Sequence, residues 1–131
     1  MRVLVVGSGG REAAIAWACQ QHGHEVSVEA AFDPAVHGDL DLVIVGPESA
    51  LVAGTADACA LAGVPCFGPT ASLVRLESSK GYTRALAQQL GLPSPRFFRS
   101  DGHHDAIKWW RSIEAPVVVK LDGLAGGKGV I

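Results

Sequence analysis

Two glycine-rich stretches set the chemistry open to this chain. Gly7-Ser8-Gly9-Gly10-Arg11-Glu12 follows one short apolar run, and Asp122-Gly123-Leu124-Ala125-Gly126-Gly127-Lys128-Gly129 follows another. Glycine lets a backbone approach an anion closely, and a helix that begins after such a turn offers N–H groups with no partner inside the helix. Phosphate suits that combination. Arg11 adds a fork of donors that matches a phosphate, whereas Glu12 would repel one and suits an amine or a hydroxyl. Glu48, in Gly46-Pro47-Glu48, brings a second acid to the end of a third apolar run. Ser8, Gly9, Gly10, Arg11, Glu12 and Glu48 are therefore expected around one pocket, although capping a helix explains the position of Glu48 equally well.

The first loop matches only part of the dinucleotide fingerprint G-x-G-x-x-G, because Glu12 stands where the third glycine belongs. Glu29, at the end of the second apolar run, keeps an NAD-binding oxidoreductase open as the alternative, with this acid on the ribose. The second loop lies between Lys120 and Lys128, so a flexible backbone flanked by two ammonium groups can close over a triphosphate. It is not the P-loop, which places Ser or Thr where Gly129 stands. Lys80, just ahead of a helical stretch, is a third candidate phosphate contact. None of the five histidines shows the i, i+4 spacing of a helical metal pair, and Cys19, Cys59 and Cys66 lack CxxC spacing, so neither a metal site nor a disulfide framework is expected. No catalytic residue is assigned.

The elements that must hold these loops follow from periodicity. Val3 to Val6 reads as a strand ending at Gly7, and Ala14, Ile15, Ala18 and Cys19 recur at helical spacing over 11–22. Val26 and Val28 mark a second strand, 41–45 a third, and His37 falls in a loop between them. Continuous apolar strands separated by helices predict an α/β fold with a parallel sheet covered on both faces. One helix is expected over 49–62, a short strand at 64–67, and helices at 72–76 and 79–90. The two prolines of 91–95 mark a linker. Strands are expected at 96–99 and 117–120, with a helix between them capped by Ser100-Asp101.

The 131 residues are 48% hydrophobic and 18% charged with a net charge of −2, enough apolar material for a core and no basic excess for phosphate backbones. No apolar run reaches the length of a membrane helix. A cytoplasmic protein without nucleic-acid or membrane partners is expected.

In order, the motifs Val5-Val6-Gly7-Ser8-Gly9-Gly10-Arg11-Glu12, Val45-Gly46-Pro47-Glu48, Phe67-Gly68-Pro69-Thr70, Leu76-Glu77-Ser78-Ser79-Lys80 and Val119-Lys120-Leu121-Asp122-Gly123-Leu124-Ala125-Gly126-Gly127-Lys128-Gly129-Val130 span nearly the whole chain. Together they resemble the N-terminal part of the phosphoribosylamine-glycine ligase (glycinamide ribonucleotide synthetase) family, ATP-grasp enzymes of purine biosynthesis. The resemblance implies a Rossmann-like, pre-ATP-grasp substrate domain at 1–75, a helical linker at 76–95, and the beginning of an ATP-grasp domain at 96–131. It implies an ATP-dependent carboxylate–amine ligase whose partners are a phosphosugar amine, an amino acid and ATP. Ser8 to Arg11 would bind the ribose phosphate, with Glu12 and Glu48 near the sugar or amine. Lys80, Lys120, Gly126, Gly127, Lys128 and Gly129 would serve ATP, and the ligands of Mg2+ would lie outside this chain.

Three departures bear on the amine and carboxylate. Ala13 replaces the family's histidine, Ala50 replaces a proline, and the segment after Val28 is shorter than in the family. Since the remaining half of the ATP-grasp fold lies past the position of Ile131, the chain is expected to be a fragment, to be completed by a second polypeptide, or to survive as a non-catalytic phosphosugar-binding relic.

Overall fold

The computed structural model describes residues 1–126 and 128–131. They divide into two compact units, Met1–Arg75 and Leu76–Ile131.

In the first unit the β-branched run of Arg2–Val6 (β1) forms an inner strand, flanked by Glu25–Glu29 (β2) on one side and Leu42–Val45 (β3) on the other. Cys66–Phe67 (β4) pairs with β3, giving a parallel sheet of order β2-β1-β3-β4. Val3 pairs with Val26 and with Leu42, and Val6 with Glu29 and Val45. Helix α1, Gly10–Gln21, packs on β1 and β2, with Ala16 in one small core beside Val3 and Val5. The larger core covers the other face, where Leu4, Val6 and Val43 meet Leu51, Cys59, Val64 and Val74. Fully burying a Val or Leu side chain contributes about 1.5–3 kcal/mol before entropy is counted, and Leu4, Val5, Val6 and Val43 are all at 0% exposure. Burial also pushes the Cys59 thiol up to about 12.

The structure differs from expectation in three places here. The helix expected over 49–62 is two, Glu48–Val52 (α3) and Thr55–Leu61 (α4), because Gly54 between them turns left-handed at φ 91°. His37 closes a one-turn helix, Pro34–His37 (α2), instead of lying in a loop: Asp33 accepts the Ala35 N–H and Pro34 opens the turn. The fourth strand shortens to its last two residues, since the Val64 N–H bonds back to Cys59 O at the end of α4 and Pro65 has no N–H to give a ladder.

Helix α5, Ala71–Ser78, spans the boundary between the two units. In the second unit, Lys80–Gln89 (α6) starts from Ser79, whose hydroxyl accepts the Tyr82 N–H, and ends at the glycine-proline stretch. His103–Ile113 (α7) is capped by Gly102; Ser100 instead forms a local turn, accepting the Gly102 N–H and donating to its carbonyl. The segment 96–99 is not a strand, having no ladder partner among the described residues. The strand expected at 117–120 reduces to one antiparallel bridge, Lys120 with Val130, extended by reciprocal bonds of Val119 with Ile131 and a bond from Leu121 N to Gly129 O. Phe98 stacks on Trp109 with centroids 5.4 Å apart.

Candidate functional site

The strand order places a topological switch between β1 and β3, whose crossovers leave in opposite directions. Open α/β sheets bind ligands outside the carboxyl ends of the strands at such a point. Gly7 to Gly10 leave β1 there, and Gly46 and Pro47 leave β3. The backbone ties them down: Gly7 N–H donates to Glu29 O at 2.7 Å, and Gly46 N–H to Val6 O at 3.0 Å. Gly9 caps α1, so the first turn of that helix opens toward the switch.

Glu12 lies inside this turn, at 4% exposure. Its carboxylate accepts the Gly9 N–H at 2.7 Å and the Arg11 Nε–H at 3.2 Å. These bonds, Gly9's foremost, hold it below the ordinary carboxylate range. Three glycines make the space it fills. A Cβ on Gly46 would stand 2.0 Å from Glu12 Oε1, one on Gly9 2.7 Å from Oε2, and one on Gly7 2.6 Å from Cγ. Glu12, expected near the sugar or its amine, has one oxygen on the Gly9 N–H and the other on the Arg11 Nε–H, and so props the loop from beneath.

Arg11 and Glu48 do meet in the open. The Arg11 side chain is 55% exposed and that of Glu48 41%, with Nη1 3.5 Å from Glu48 Oε1. Arg11 Nη2 also donates to the carbonyl oxygen of Gly46. One guanidinium thus spans the end of β3 and the start of α1, beside exposed Ser8, Gly9 and Gly10. Glu48 stands in the first turn of α3, where its negative charge also suits the helix end. At the edge of β2, His37 Nε2 lies 3.2 Å from Glu29 Oε1, off the line of a hydrogen bond, while His37 Nδ1 accepts the Asp33 N–H.

In the second unit Lys80, Lys120, Lys128, Gly126 and Gly129 gather on one hairpin and the helix beside it. Lys80 Nζ donates to Gly123 O at 3.0 Å, and Lys128 N–H to Ala125 O at 2.9 Å. Gly126 turns left-handed at φ 54°. A Cβ on Gly129 would stand 2.6 Å from that of Ala125, so the loop closes tightly only with glycine there. Gly127 lies outside the described residues. Sequence reading missed Asp122 as more than a motif letter: it joins Ser79, Gly81 and Gly123, and no local pattern announces a partner 41 residues away. Among the described residues no three His, Cys, Asp or Glu side chains converge as a metal site would require. No helix there is long and apolar enough to cross a membrane.

Residues 23–77 match the phosphoribosylglycinamide synthetase N domain, and residues 78–131 match the ATP-grasp (A) domain of the same synthetase. The chain belongs to the phosphoribosylglycinamide synthetase family. Within that family it is 39% identical to a phosphoribosylamine–glycine ligase of Rhizobium meliloti (strain 1021), over 99% of this chain and 36% of the relative. It is 38% identical to the ligase of that name from Allochromatium vinosum, over all of this chain and 36% of the relative. The chain thus spans about a third of the length of these relatives. The first alignment runs to 153 residues against a chain of 131, so the relative carries residues that this family member does not. The crystal structure of the ligase from Thermotoga maritima superposes with a TM-score of 0.77 at 27% identity, covering all of this chain and 35% of that one. A RimK domain ATP-grasp protein from Sphaerobacter thermophilus shares the fold, with a TM-score of 0.72 at 22% identity over 99% of this chain and 52% of its own. The two domain matches and the ligase relatives favour the ligase reading over the dinucleotide alternative.

Proposed function

We propose that the chain supplies the phosphosugar-binding domain and the first part of the ATP-binding domain of an ATP-dependent carboxylate–amine ligase that works on phosphoribosylamine and glycine. In that reaction a carboxylate oxygen of glycine attacks the γ-phosphorus of ATP and ADP leaves. The amine of the phosphosugar then attacks the acyl carbon, phosphate departs, and an amide remains. Such chemistry needs two anion sites and electrostatic neutralisation of the transferring phosphoryl group.

The observation that carries this reading is the exposed Arg11 guanidinium at the switch between β1 and β3, on the first turn of α1 and beside Glu48. A ribose phosphate docked on Ser8, Gly9 and Gly10 would take Arg11 as its counter-ion, leaving Glu48 to meet the sugar or its amine. Glu12 serves by holding the loop and does not touch the ligand. Lys80, Lys120 and Lys128 supply the positive charge for ATP, with the glycines at 126, 127 and 129 keeping the backbone clear of side chains. When bound, Mg2+ would neutralise phosphate charge; among the described residues no three His, Cys, Asp or Glu side chains converge to hold it.

Calorimetry on the chain with ribose 5-phosphate tests the first site. Arg11→Ala should weaken binding by about 1–3 kcal/mol, the worth of a charge-assisted hydrogen bond. Equal affinity in the two proteins would remove Arg11 from the site. NAD binding in place of ribose phosphate, abolished by Glu29→Ala, would overturn the ligase reading.

A further inference from the structure

The second glycine loop is tied down at its base by a single carboxylate. Asp122 Oδ1 accepts the Gly81 N–H at 3.2 Å and the Gly123 N–H at 3.1 Å. Its Oδ2 accepts from the Ser79 hydroxyl at 3.1 Å and lies 3.5 Å from Arg99 Nε. Ser79 in turn accepts the Tyr82 N–H, so the carboxylate and the hydroxyl together satisfy two of the N–H groups that the start of α6 leaves open. The fit is close, since a Cβ on Gly81 would stand 2.9 Å from both Asp122 Oδ2 and Arg99 Cδ. The donors hold Asp122 below the ordinary carboxylate range, Gly81's N–H foremost, so it is charged at neutral pH.

We propose that Asp122 is a positioning residue, whose carboxylate pins the first residues of the glycine-rich loop to the start of α6 and so holds Lys80 against the loop backbone before a nucleotide arrives. The bond from Lys80 Nζ to Gly123 O depends on this. Lys80 leaves α6 one residue after Ser79, and Gly123 follows Asp122 directly; the same carboxylate therefore fixes both ends of that bond. With the base anchored in advance, the ordering cost on binding falls. The role toward ATP rests on the ligase reading above, whereas the clasp itself does not.

Hydrogen exchange on the full chain, with calorimetry against ATP, separates the two. Asp122→Ala removes the acceptor, Asp122→Asn keeps one oxygen but not the charge, and Gly81→Ala wedges the helix away while improving helix propensity. The Gly81 and Gly123 amides should exchange at least about tenfold faster in Asp122→Ala and Gly81→Ala, as expected for losing a hydrogen bond to a charged group, with Asp122→Asn between them and β1 unchanged. ATP affinity should fall about tenfold in the same order, roughly the worth of one such bond. Unaltered exchange at Gly81 and Gly123 overturns the clasp, even if ATP binding is intact. Faster exchange with equal ATP affinity in all four proteins overturns the positioning role. If the parent chain binds no ATP, the nucleotide reading fails and the positioning role with it, and the exchange change alone marks that case.

Discussion

Glu12 shows how far a residue's chemistry can be read before its neighbours are known. An acid at the start of a helix beside an anion loop reads as a ligand contact, and Arg11, Lys80 and Lys128 read as phosphate contacts for the same reason. The arginine and Lys128 are indeed presented to solvent. Glu12 is not, because Gly7, Gly9 and Gly46 leave a side-chain-sized space beneath the turn, and Gly46 enters that space from a strand 34 residues away. Buried and bonded by Gly9 and Arg11, its carboxylate titrates below its ordinary value of 4.5 when folded. A carboxyl whose folded pKa is depressed adds stability that is fully present above the unfolded pKa and is lost as pH falls through the folded one. Thermal melts from pH 7 down to about pH 3 should therefore show a decline beginning near the unfolded carboxyl value, and Glu12→Gln should flatten part of it. Identical slopes in the two proteins would mean that Glu12 stays charged at no advantage to the fold.

Among the elements, those carried by dense apolar patterning were legible and those resting on a single backbone angle or a distant partner were not. Val3 to Val6 and Leu42 to Val45 are runs that only a covered parallel sheet can bury, and both appear where the pattern places them. The Ala-rich stretch after Pro47 carries helical periodicity through Gly54, yet the chain breaks there; the residue takes φ 91° and starts α4 as its cap. The stretches 96–99 and 117–120 have strand composition, but strand formation needs partners, and only Val119 to Leu121 finds one. Gly54→Ala tests whether the break is built in. A β-carbon in the left-handed region costs about 1–2 kcal/mol, so urea denaturation should show a loss of that size. A gain in stability would mean that the continuous helix is open to this sequence and that the two short helices are a choice of the glycine alone.

Across the molecule, the order of elements and the two glycine loops were legible because each is written locally, while the division of stability between the units was not, because it depends on how many side chains become buried together. Every fully covered residue among those described belongs to Met1–Arg75: Leu4, Val5, Val6, Val43 and Cys59 are sealed there, and Val74 is the last buried side chain along the chain. In Leu76–Ile131 no described residue is buried, and Val118, Val119, Leu121 and Ile131 are each at least 60% exposed. Helices of ten or eleven residues such as α6 and α7 are marginal without an apolar face packed away from water. The second unit should therefore open at a small free energy and the first at close to the global one. Native-state hydrogen exchange should find the β1 and β3 amides the slowest in the protein, with those of α6 and α7 faster by at least about a hundredfold, a difference of some 3 kcal/mol in opening free energy. Denaturant should release the α6 and α7 amides first, before the sheet responds. Equal protection of α7 and β1, with both lost in one transition, would mean that the second unit draws its stability from something other than buried apolar surface.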